Sequence, residues 1–264
     1  MKQLPKGFQG AAIAAGLKSS GALDLTIIEN LGPHFDAAAV YTSNKVVAAP
    51  VIWSREVTKG KLVRAAVLNS GGANACTGPQ GFADTHHTAE KVGQLLGVSS
   101  GEVVVCSTGL IGELLPMPKI VAGLDAIAPN LKPDSLDEIS RAIMTTDSVP
   151  KVATASVNGA EFAGIAKGAG MLAPALATML SVIMTDAILP DSAQEILARV
   201  TDRTYNRIDS DGCTSTNDTV LLMGSGASGV SPSDSEFESV LMEVCGSLAS
   251  QLIADAEGST KTVA

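Results

Sequence analysis

Hydrophobic and polar positions alternate along this chain in short runs, which predict strands and helices that follow one another. Runs rich in Val, Ile, Ala and Leu are typical of strands, and they cover 23–29, 37–42, 62–69, 102–107 and 219–223. Helical spacing predicts a helix over 84–96 that Gly97 ends, and another over 192–207. The mixture, with no linker or internal repeat, predicts a single α/β layered domain.

Two four-residue signatures and one dipeptide sharpen this prediction. The stretches Ser135-Leu-Asp-Glu138 and Ser233-Asp-Ser-Glu236 match the capping box, so they predict helices that run to about Met144 and about Ala254. Asn158-Gly159 separates two strand-like runs over 152–157 and 161–166. This dipeptide suits a two-residue turn and therefore predicts a hairpin.

Composition narrows the function classes. The 264 residues are 45% hydrophobic but only 3% aromatic, so small aliphatic side chains must build the core. A net charge of −9 argues against nucleic acid and against an anionic membrane surface, because no basic stripe is present to bind phosphates. An anionic substrate must then find a local positive charge, and Lys167 is the best-placed candidate.

Compartment and membrane signals point to the cytoplasm. The N-terminal residues lack an apolar signal core. The most apolar run, 171–184, is too short to span a bilayer and is better interpreted as a buried strand. The cysteines at 76, 106, 213 and 245 form no Cys-x-x-Cys pair, which suggests free thiols in a reducing compartment.

Several motifs suggest other chemistry but are disfavoured. The stretch 224–229 fits the dinucleotide pattern G-x-G-x-x-G, but the next helix begins near Ser233, so we predict a loop. His86 and His87 diverge on a helix and cannot share a metal, so no metal site is expected. Cys106 is expected to pack in the core, and Ser70 has no evident acid or base partner.

The stretch 167–186 carries the most specific chemistry. A glycine-rich turn with Lys167 leads through Pro174 to Ala177-Thr178, and a mostly apolar segment follows. A threonine hydroxyl is a poor nucleophile unless a base takes its proton, and cutting the bond before Thr178 would free its own α-amine for that role. Taken alone, the segment also fits a buried strand with an incidental threonine.

Taken whole, this segment resembles the signature of the ornithine acetyltransferase family, also called bifunctional glutamate N-acetyltransferases or the ArgJ family. Other matching segments occur in the family's order, at 69–78, 106–112, 142–147, 215–219 and 255–258. The resemblance implies a layered α/β/β/α sandwich of the DmpA/ArgJ-like type. It also implies self-cleavage between Ala177 and Thr178, which would give an α-chain of 1–177 and a β-chain of 178–264.

The resemblance also implies an activity in arginine biosynthesis. A glutamate N-acetyltransferase of this family moves the acetyl group of N²-acetylornithine to glutamate by a ping-pong route through acetyl-Thr178. No cofactor is needed, although acetyl-CoA is open as a second donor, which would add amino-acid N-acetyltransferase activity. An α2β2 heterotetramer is implied as the assembly.

Site residues follow from the matched positions. The family's Thr-Gly pair, here Thr108 and Gly109, forms the oxyanion hole. The resemblance also implies that Thr145, Lys167, Thr178 and Glu257 contact the substrate. Without the resemblance, Thr108-Gly109 would be interpreted as an ordinary strand-to-helix turn. Thr145 would be a threonine at a helix end, Lys167 a surface lysine and Glu257 an acid at a helix end. Asn74 and Asn217 lie in matching segments but receive no assigned contact.

Family members continue well beyond Glu257, so the resemblance predicts a C-terminally truncated domain with an open pocket. Two alternatives follow. One is an amidohydrolase or aminopeptidase on a related self-processing fold, which would release the acyl group to water. The other is an inactive, truncated fragment that only folds or associates with a partner chain.

Overall fold

The computed structural model describes residues 3–172 and 179–261, in which strands and helices alternate. The strands are β1 (Phe8–Ile13), β2 (Leu25–Asn30), β3 (Ala37–Tyr41), β4 (Ala65–Gly72), β5 (Val103–Leu110), β6 (Lys151–Val157), β7 (Ala160–Lys167), β8 (Leu180–Thr185) and β9 (Thr219–Gly224). The helices are α1 (Ala49–Lys59), α2 (Gly78–Leu96), α3 (Met117–Ile127), α4 (Leu136–Ala142), α5 (Ala193–Arg203) and α6 (Asp234–Ala254).

The strands form two sheets. The first sheet has the order β1-β2-β4-β5, in which only β4 and β5 are parallel. The second has the order β3-β9-β8-β7-β6, in which only β8 and β9 are parallel. Carboxyl ends of parallel strands lie at the same edge of a sheet, so each sheet offers one such edge for functional groups.

The two sheets pack face to face between helical layers. Between the sheets lie side chains from both of them, including Ile28, Leu68, Val182 and Leu221. Neighbouring residues on the same strands point the other way, since strand side chains alternate between faces: Ile27 and Val67 pack with α2 and α3. The outer face of the second sheet packs with α5 and α6. The α/β/β/α sandwich is therefore confirmed.

The alternation in the sequence located most elements. The strand runs correspond to β2, β3, β4, β5 and β9, and the 192–207 helix is α5 followed by a 3-10 turn. The hairpin across Asn158-Gly159 is confirmed, with φ of 53° and 89° at the two turn residues. The sequence prediction missed β1, α1 and α3, and it began α2 too late.

The two capping boxes have different outcomes. Ser233 accepts the Glu236 N–H and Glu236 accepts the Ser233 N–H, so the predicted box at the start of α6 is confirmed. The box predicted at Ser135 is wrong, because the Ser135 hydroxyl is buried and has no hydrogen-bond partner among the described residues. Glu138 pairs with Lys132 at 2.9 Å instead of reaching back to its helix start.

Helix α6 is long and apolar enough to cross a membrane by length and composition, with a mean hydropathy of 1.2. However, its apolar side chains, among them Phe237, Leu241 and Leu248, are buried against the second sheet and α5. The helix therefore has the packing of a core helix. All four cysteines are free thiols, with Cys106 and Cys245 buried in the core.

Candidate active site

Five of the residues that the sequence singled out lie around one cavity of about 640 Å³. They come from four separate parts of the chain and are Thr108, Gly109, Thr145, Lys167 and Glu257. Thr108 and Gly109 lie near the end of β5, and Lys167 is the last residue of β7. The cavity therefore lies where the ends of the two sheets meet.

Parallel pairing places Thr108 and Gly109 at the carboxyl edge of the first sheet. Gly109 lies opposite Gly71 of β4, with a φ of 133° that side chains rarely adopt. A Cβ at this position would lie 2.5 Å from the Gly71 carbonyl carbon and 2.6 Å from the Gly72 nitrogen. Only glycine therefore fits at position 109, where the backbone borders the cavity.

Lys167 joins the two sheets at the floor of this cavity. Its ammonium donates to the Thr108 hydroxyl oxygen, with an Nζ–Oγ1 distance of 3.3 Å, and its side chain is only 2% exposed. Burial lowers the pKa of Lys167, and the nearby carboxylates of Asp147 and Asp218 oppose that shift. A lysine ammonium only donates, so the Thr108 proton remains available to another acceptor.

A buried group of charges supports Thr145 and Lys167. Asp147 accepts from the Lys151 ammonium at 2.7 Å, from the Gly168 N–H at 2.7 Å and from the Thr145 N–H at 2.9 Å. Burial raises the pKa of Asp147, but the charges of Lys167 and Lys151 outweigh it and leave the pKa below its ordinary value. Asp147 thus fixes the backbone on both sides of the cavity.

The same group extends to the segment that carries Glu257. The Lys151 ammonium also donates to Asp255 at 2.6 Å, and Asp255 accepts from Ser148. The Glu257 N–H donates to the Ala169 carbonyl at 2.7 Å. A Cβ at Gly170 would lie 2.5 Å from the Glu257 carboxylate, so glycine there lets the acid lie directly over the glycine-rich turn.

Asp218 is a buried acid that the sequence analysis did not include among the site residues, although it lies in the segment 215–219 that matches the family. Its Oδ1 accepts the Met179 N–H at 2.9 Å, and its Oδ2 has no hydrogen-bond partner in the described part of the chain. Burial raises the pKa of Asp218 to about 7. Met179 follows Thr178 directly, so this carboxyl lies next to the predicted cleavage point in the chain.

A loop before β2 forms another wall of the cavity, and no sequence signal had pointed to it. Leu17, Lys18, Ser19 and Ser20 line this wall. The buried Asp24 carboxylate holds the loop by accepting three backbone N–H groups, from Ala15, Leu17 and Lys18, at 2.6 to 3.0 Å.

Ala177 and Thr178 lie outside the described residues. Asn74 and Asn217, which had no assigned contact, form hydrogen bonds that hold neighbouring segments of the fold together. Asn217 donates to the Ala73 carbonyl at 2.6 Å and to the Ser107 carbonyl at 2.9 Å, whereas Asn74 bonds Gly81 and Thr85 at the start of α2.

The structure also locates the glycine-rich stretch and the histidine pair that the sequence analysis disfavoured as functional motifs. The stretch 224–229 leads into a loop, and α6 begins only at Asp234. His87 is exposed, and His86 lies against the Trp53 ring with a centroid separation of 5.0 Å. Within residues 3–172 and 179–261, no three His, Cys, Asp or Glu side chains are grouped to hold a metal ion.

Comparison with solved structures bears on this geometry. An ornithine acetyltransferase from Mycobacterium tuberculosis, solved with ornithine, is 45% identical with a TM-score of 0.57, and the match covers 65% of this chain and 95% of that one. The arginine biosynthesis bifunctional protein argJ of Bacillus halodurans is 35% identical with a TM-score of 0.59, over 66% of this chain and 93% of that one.

A more distant structure shares the fold alone. The L-aminopeptidase D-Ala-esterase/amidase of Ochrobactrum anthropi is 11% identical with a TM-score of 0.54, and the match covers 97% of this chain and 87% of that one. Its description names a variant of the Ntn hydrolase fold.

Proteins related in sequence align with nearly the whole chain. The arginine biosynthesis bifunctional protein ArgJ of Thermobifida fusca is 54% identical over 98% of this chain, which spans 68% of the relative's length. The Mycobacterium leprae protein of the same name is 53% identical over 98% of this chain and 66% of its own length. The family model described as "ArgJ family" matches residues 9–264, and the chain belongs to the ArgJ family.

Proposed function

We propose that this chain carries the site of an acetyltransferase that moves the acetyl group of N²-acetylornithine to glutamate. The observation that carries the proposal is the convergence of Thr108, Gly109, Thr145, Lys167 and Glu257 on one cavity. Relatives that match nearly the whole chain are named for arginine biosynthesis, and one solved relative is described as complexed with ornithine.

The nucleophile in this proposal is Thr178 after cleavage of the Ala177–Thr178 bond. Its α-amine takes the hydroxyl proton while the oxygen attacks the acetyl carbonyl. The Thr108 O–H and the Gly109 N–H donate to the oxyanion. The C–N bond of the donor amide then breaks, ornithine takes the proton from the Thr178 α-ammonium as it leaves, and acetyl-Thr178 remains.

The second half of the reaction reverses these roles with another amine. The glutamate amine attacks acetyl-Thr178 and gives a proton to the Thr178 α-amine. The ester C–O bond then breaks, that proton restores the Thr178 hydroxyl, and N-acetylglutamate leaves. Lys167 binds the α-carboxylate that both amino acids share, and Glu257 accepts from the α-ammonium of the free amino acid. The Lys167 contact also polarises the Thr108 hydroxyl, which makes it a stronger donor to the oxyanion.

Three finer points belong to the same proposal. Acetyl-CoA can serve as a second donor, since acyl transfer to Thr178 needs only an activated acetyl group. The assembly is an α2β2 heterotetramer of the two cleaved chains. The compartment is the cytoplasm, in keeping with four free thiols.

The test is the intact mass of the protein after incubation with N²-acetylornithine alone. We expect the 178–264 chain to gain the mass of one acetyl group on Thr178 and to lose it when glutamate is added. Loss of the acetyl group to water at the same rate without glutamate would favour the amidohydrolase. A chain that never gains an acetyl group would contradict the covalent route.

A further inference from the structure

The cavity contains one charge that the proposed contacts leave unmatched, the ammonium of Lys18. The described lining residues carry three charged groups, which are the ammoniums of Lys18 and Lys167 and the carboxylate of Glu257. In the proposed function, Lys167 and Glu257 together match the carboxylate and ammonium of any α-amino acid. Lys18 therefore requires a separate explanation.

Lys18 has no acidic partner of its own in the described part of the chain. Its Nζ donates to the Leu23 carbonyl at 2.8 Å, which leaves two further N–H groups, and it forms no salt bridge with a described residue. Asp24, the nearest acid along the chain, is occupied by three backbone N–H groups. Asp147 is bound to Lys151 and two backbone N–H groups.

The setting of Lys18 makes a free ammonium costly. Burial lowers the pKa of Lys18, and the charges of Asp24 and Asp147 oppose this shift without reversing it. The charge of Lys18 also adds like-charge repulsion at Lys167 across the cavity and helps to lower the pKa of Lys167. A bound anion would relieve both costs, because two cations facing one cavity favour negative charge between them.

We propose that Lys18 determines acceptor specificity by binding a second carboxylate, on the side chain of the amino acid that accepts the acetyl group. Two ammoniums and one carboxylate in the cavity complement two carboxylates and one ammonium, the charges of an α-amino dicarboxylic acid. The proposal rests on the proposed function and specifies its acceptor. It also gives the two lysines different roles. Lys167 binds the α-carboxylate, which all α-amino acids share, and Lys18 binds the side-chain carboxylate, which only acidic amino acids carry.

The decisive variant is Lys18→Met, which keeps the aliphatic side chain and removes the charge. Lys119→Met is the matched control, because Lys119 Nζ also donates to a carbonyl of the same loop, Gly16 at 2.8 Å, but is exposed and does not line the cavity. Glutamate and its uncharged counterpart glutamine are the probes, and calorimetry on the whole protein measures the Kd of each.

We expect wild-type protein and Lys119→Met to bind glutamate more tightly than glutamine. Lys18→Met should raise the Kd of glutamate by about tenfold or more, equal to about 1.4 kcal/mol, and leave that of glutamine within about twofold. Lys18→Arg should retain most of the preference, since it keeps a cation at the same place.

Three outcomes would overturn the proposal. They are equal weakening of glutamate and glutamine in Lys18→Met, an unchanged Kd for glutamate, and wild-type protein that does not prefer glutamate. Acetylation of Thr178 by N²-acetylornithine, measured by mass without any glutamate, tests the proposed function separately. Failure of the specificity proposal is thus distinguishable from failure of the acetyl transfer.

Discussion

Single side chains decide the charge of the cavity, and Lys167 is the most buried of the three charged groups that line it. It is almost fully buried, donates to Thr108 and lies near the carboxylates of Asp147 and Asp218. Removal of a buried charged donor leaves its partners unpaired, so the effect on binding is larger than for a surface lysine.

Lys167→Met should weaken both N²-acetylornithine and glutamate, because they share the α-carboxylate. The expected loss is about 1.5 to 3 kcal/mol for each substrate, as for hydrogen bonds to a charged group. Steady-state kinetics on protein with verified processing measure it, and Lys119→Met again controls for the loss of one lysine. A variant that lost glutamate but kept N²-acetylornithine unchanged would assign Lys167 to the side chain instead.

Asp218 predicts a specific pH dependence of stability. Burial raises its pKa in the folded protein to about 7, from an ordinary value of 3.8, so the folded state binds a proton that the unfolded chain releases. Its contribution to the free energy of unfolding is therefore full below about pH 4 and declines as the pH rises to about 7. The side chain of Asp218→Asn is neutral at every pH. The free energy of unfolding of this variant, relative to that of its parent, should therefore increase as the pH rises from about 4 to about 7.

Urea unfolding at about pH 5 and about pH 8 tests this, in a Thr178→Ala background that keeps the chain in one piece. The exposed Asp191→Asn controls for the change in net charge. A difference between Asp218→Asn and its parent that is the same at both pH values would show that the pKa of Asp218 is not raised.

At the scale of elements, two identical sequence patterns behave differently. Ser233 caps α6 with a reciprocal pair of bonds, and Glu236 also accepts from Asn158 at 3.0 Å. Hydrogen bonds from Ser233 and Asn158 lower the pKa of Glu236 to about 2. The Ser135 hydroxyl instead is buried and has no hydrogen-bond partner within 3–172 and 179–261.

Ser233→Ala should therefore lower the free energy of unfolding by about 1 kcal/mol, the usual cost of a lost N-cap. Ser135→Ala should be close to neutral or slightly stabilising, because it removes a buried hydroxyl that forms no hydrogen bond in the described part of the chain. Denaturant unfolding of the two variants side by side measures both effects. An equal loss in both variants would mean that the Ser135 box forms in solution.

A local sequence signal for three helix starts was present but was not used in the sequence analysis. The helices α1, α2 and α3 all have a proline in the first turn, at Pro50, Pro79 and Pro118. Proline is favoured there because its missing N–H would be unpaired anyway. This signal could have placed α1 and α3 and moved the start of α2 to Gly78. β1 has a weaker pattern, since Gly10 and alanines make up half of it.

For the whole molecule, the predicted cleavage point divides an interleaved sheet. The order β3-β9-β8-β7-β6 alternates between the two pieces, since β3, β6 and β7 precede Thr178 whereas β8 and β9 follow it. Two strand interfaces, β3–β9 and β8–β7, therefore join the pieces by backbone hydrogen bonds. Cleavage should leave one folded body.

We expect wild-type protein to give two bands on a denaturing gel, 1–177 and 178–264, and one peak in native size-exclusion chromatography. N-terminal sequencing of the smaller band should begin at Thr178. Thr178→Ala should give one intact band, because it lacks the attacking hydroxyl. Cleavage of that variant at the same bond would contradict self-processing, and separation of the pieces without denaturant would contradict the interleaved sheet.

The sequence by itself determined what depends on neighbours in the chain. Alternation placed most strands, the Asn158-Gly159 turn fixed a hairpin, and the order of the family's motifs indicated the fold and five residues that line the cavity. These signals are readable because strand period, turn geometry and short motifs act over a few residues.

Only the tertiary structure decided which charges meet. The charged groups around the cavity are scattered over more than 200 positions, and only Asp147 and Lys151 among them are close in sequence. The group is Lys18, Asp147, Lys151, Lys167, Asp218 and Asp255. Burial and charge pairing are set by how the sheets and loops pack, which is also why Ser233 caps its helix whereas Ser135 does not. The sequence therefore names candidate groups, whereas packing sets their partners, their pKa values and the ligand charges they can accept.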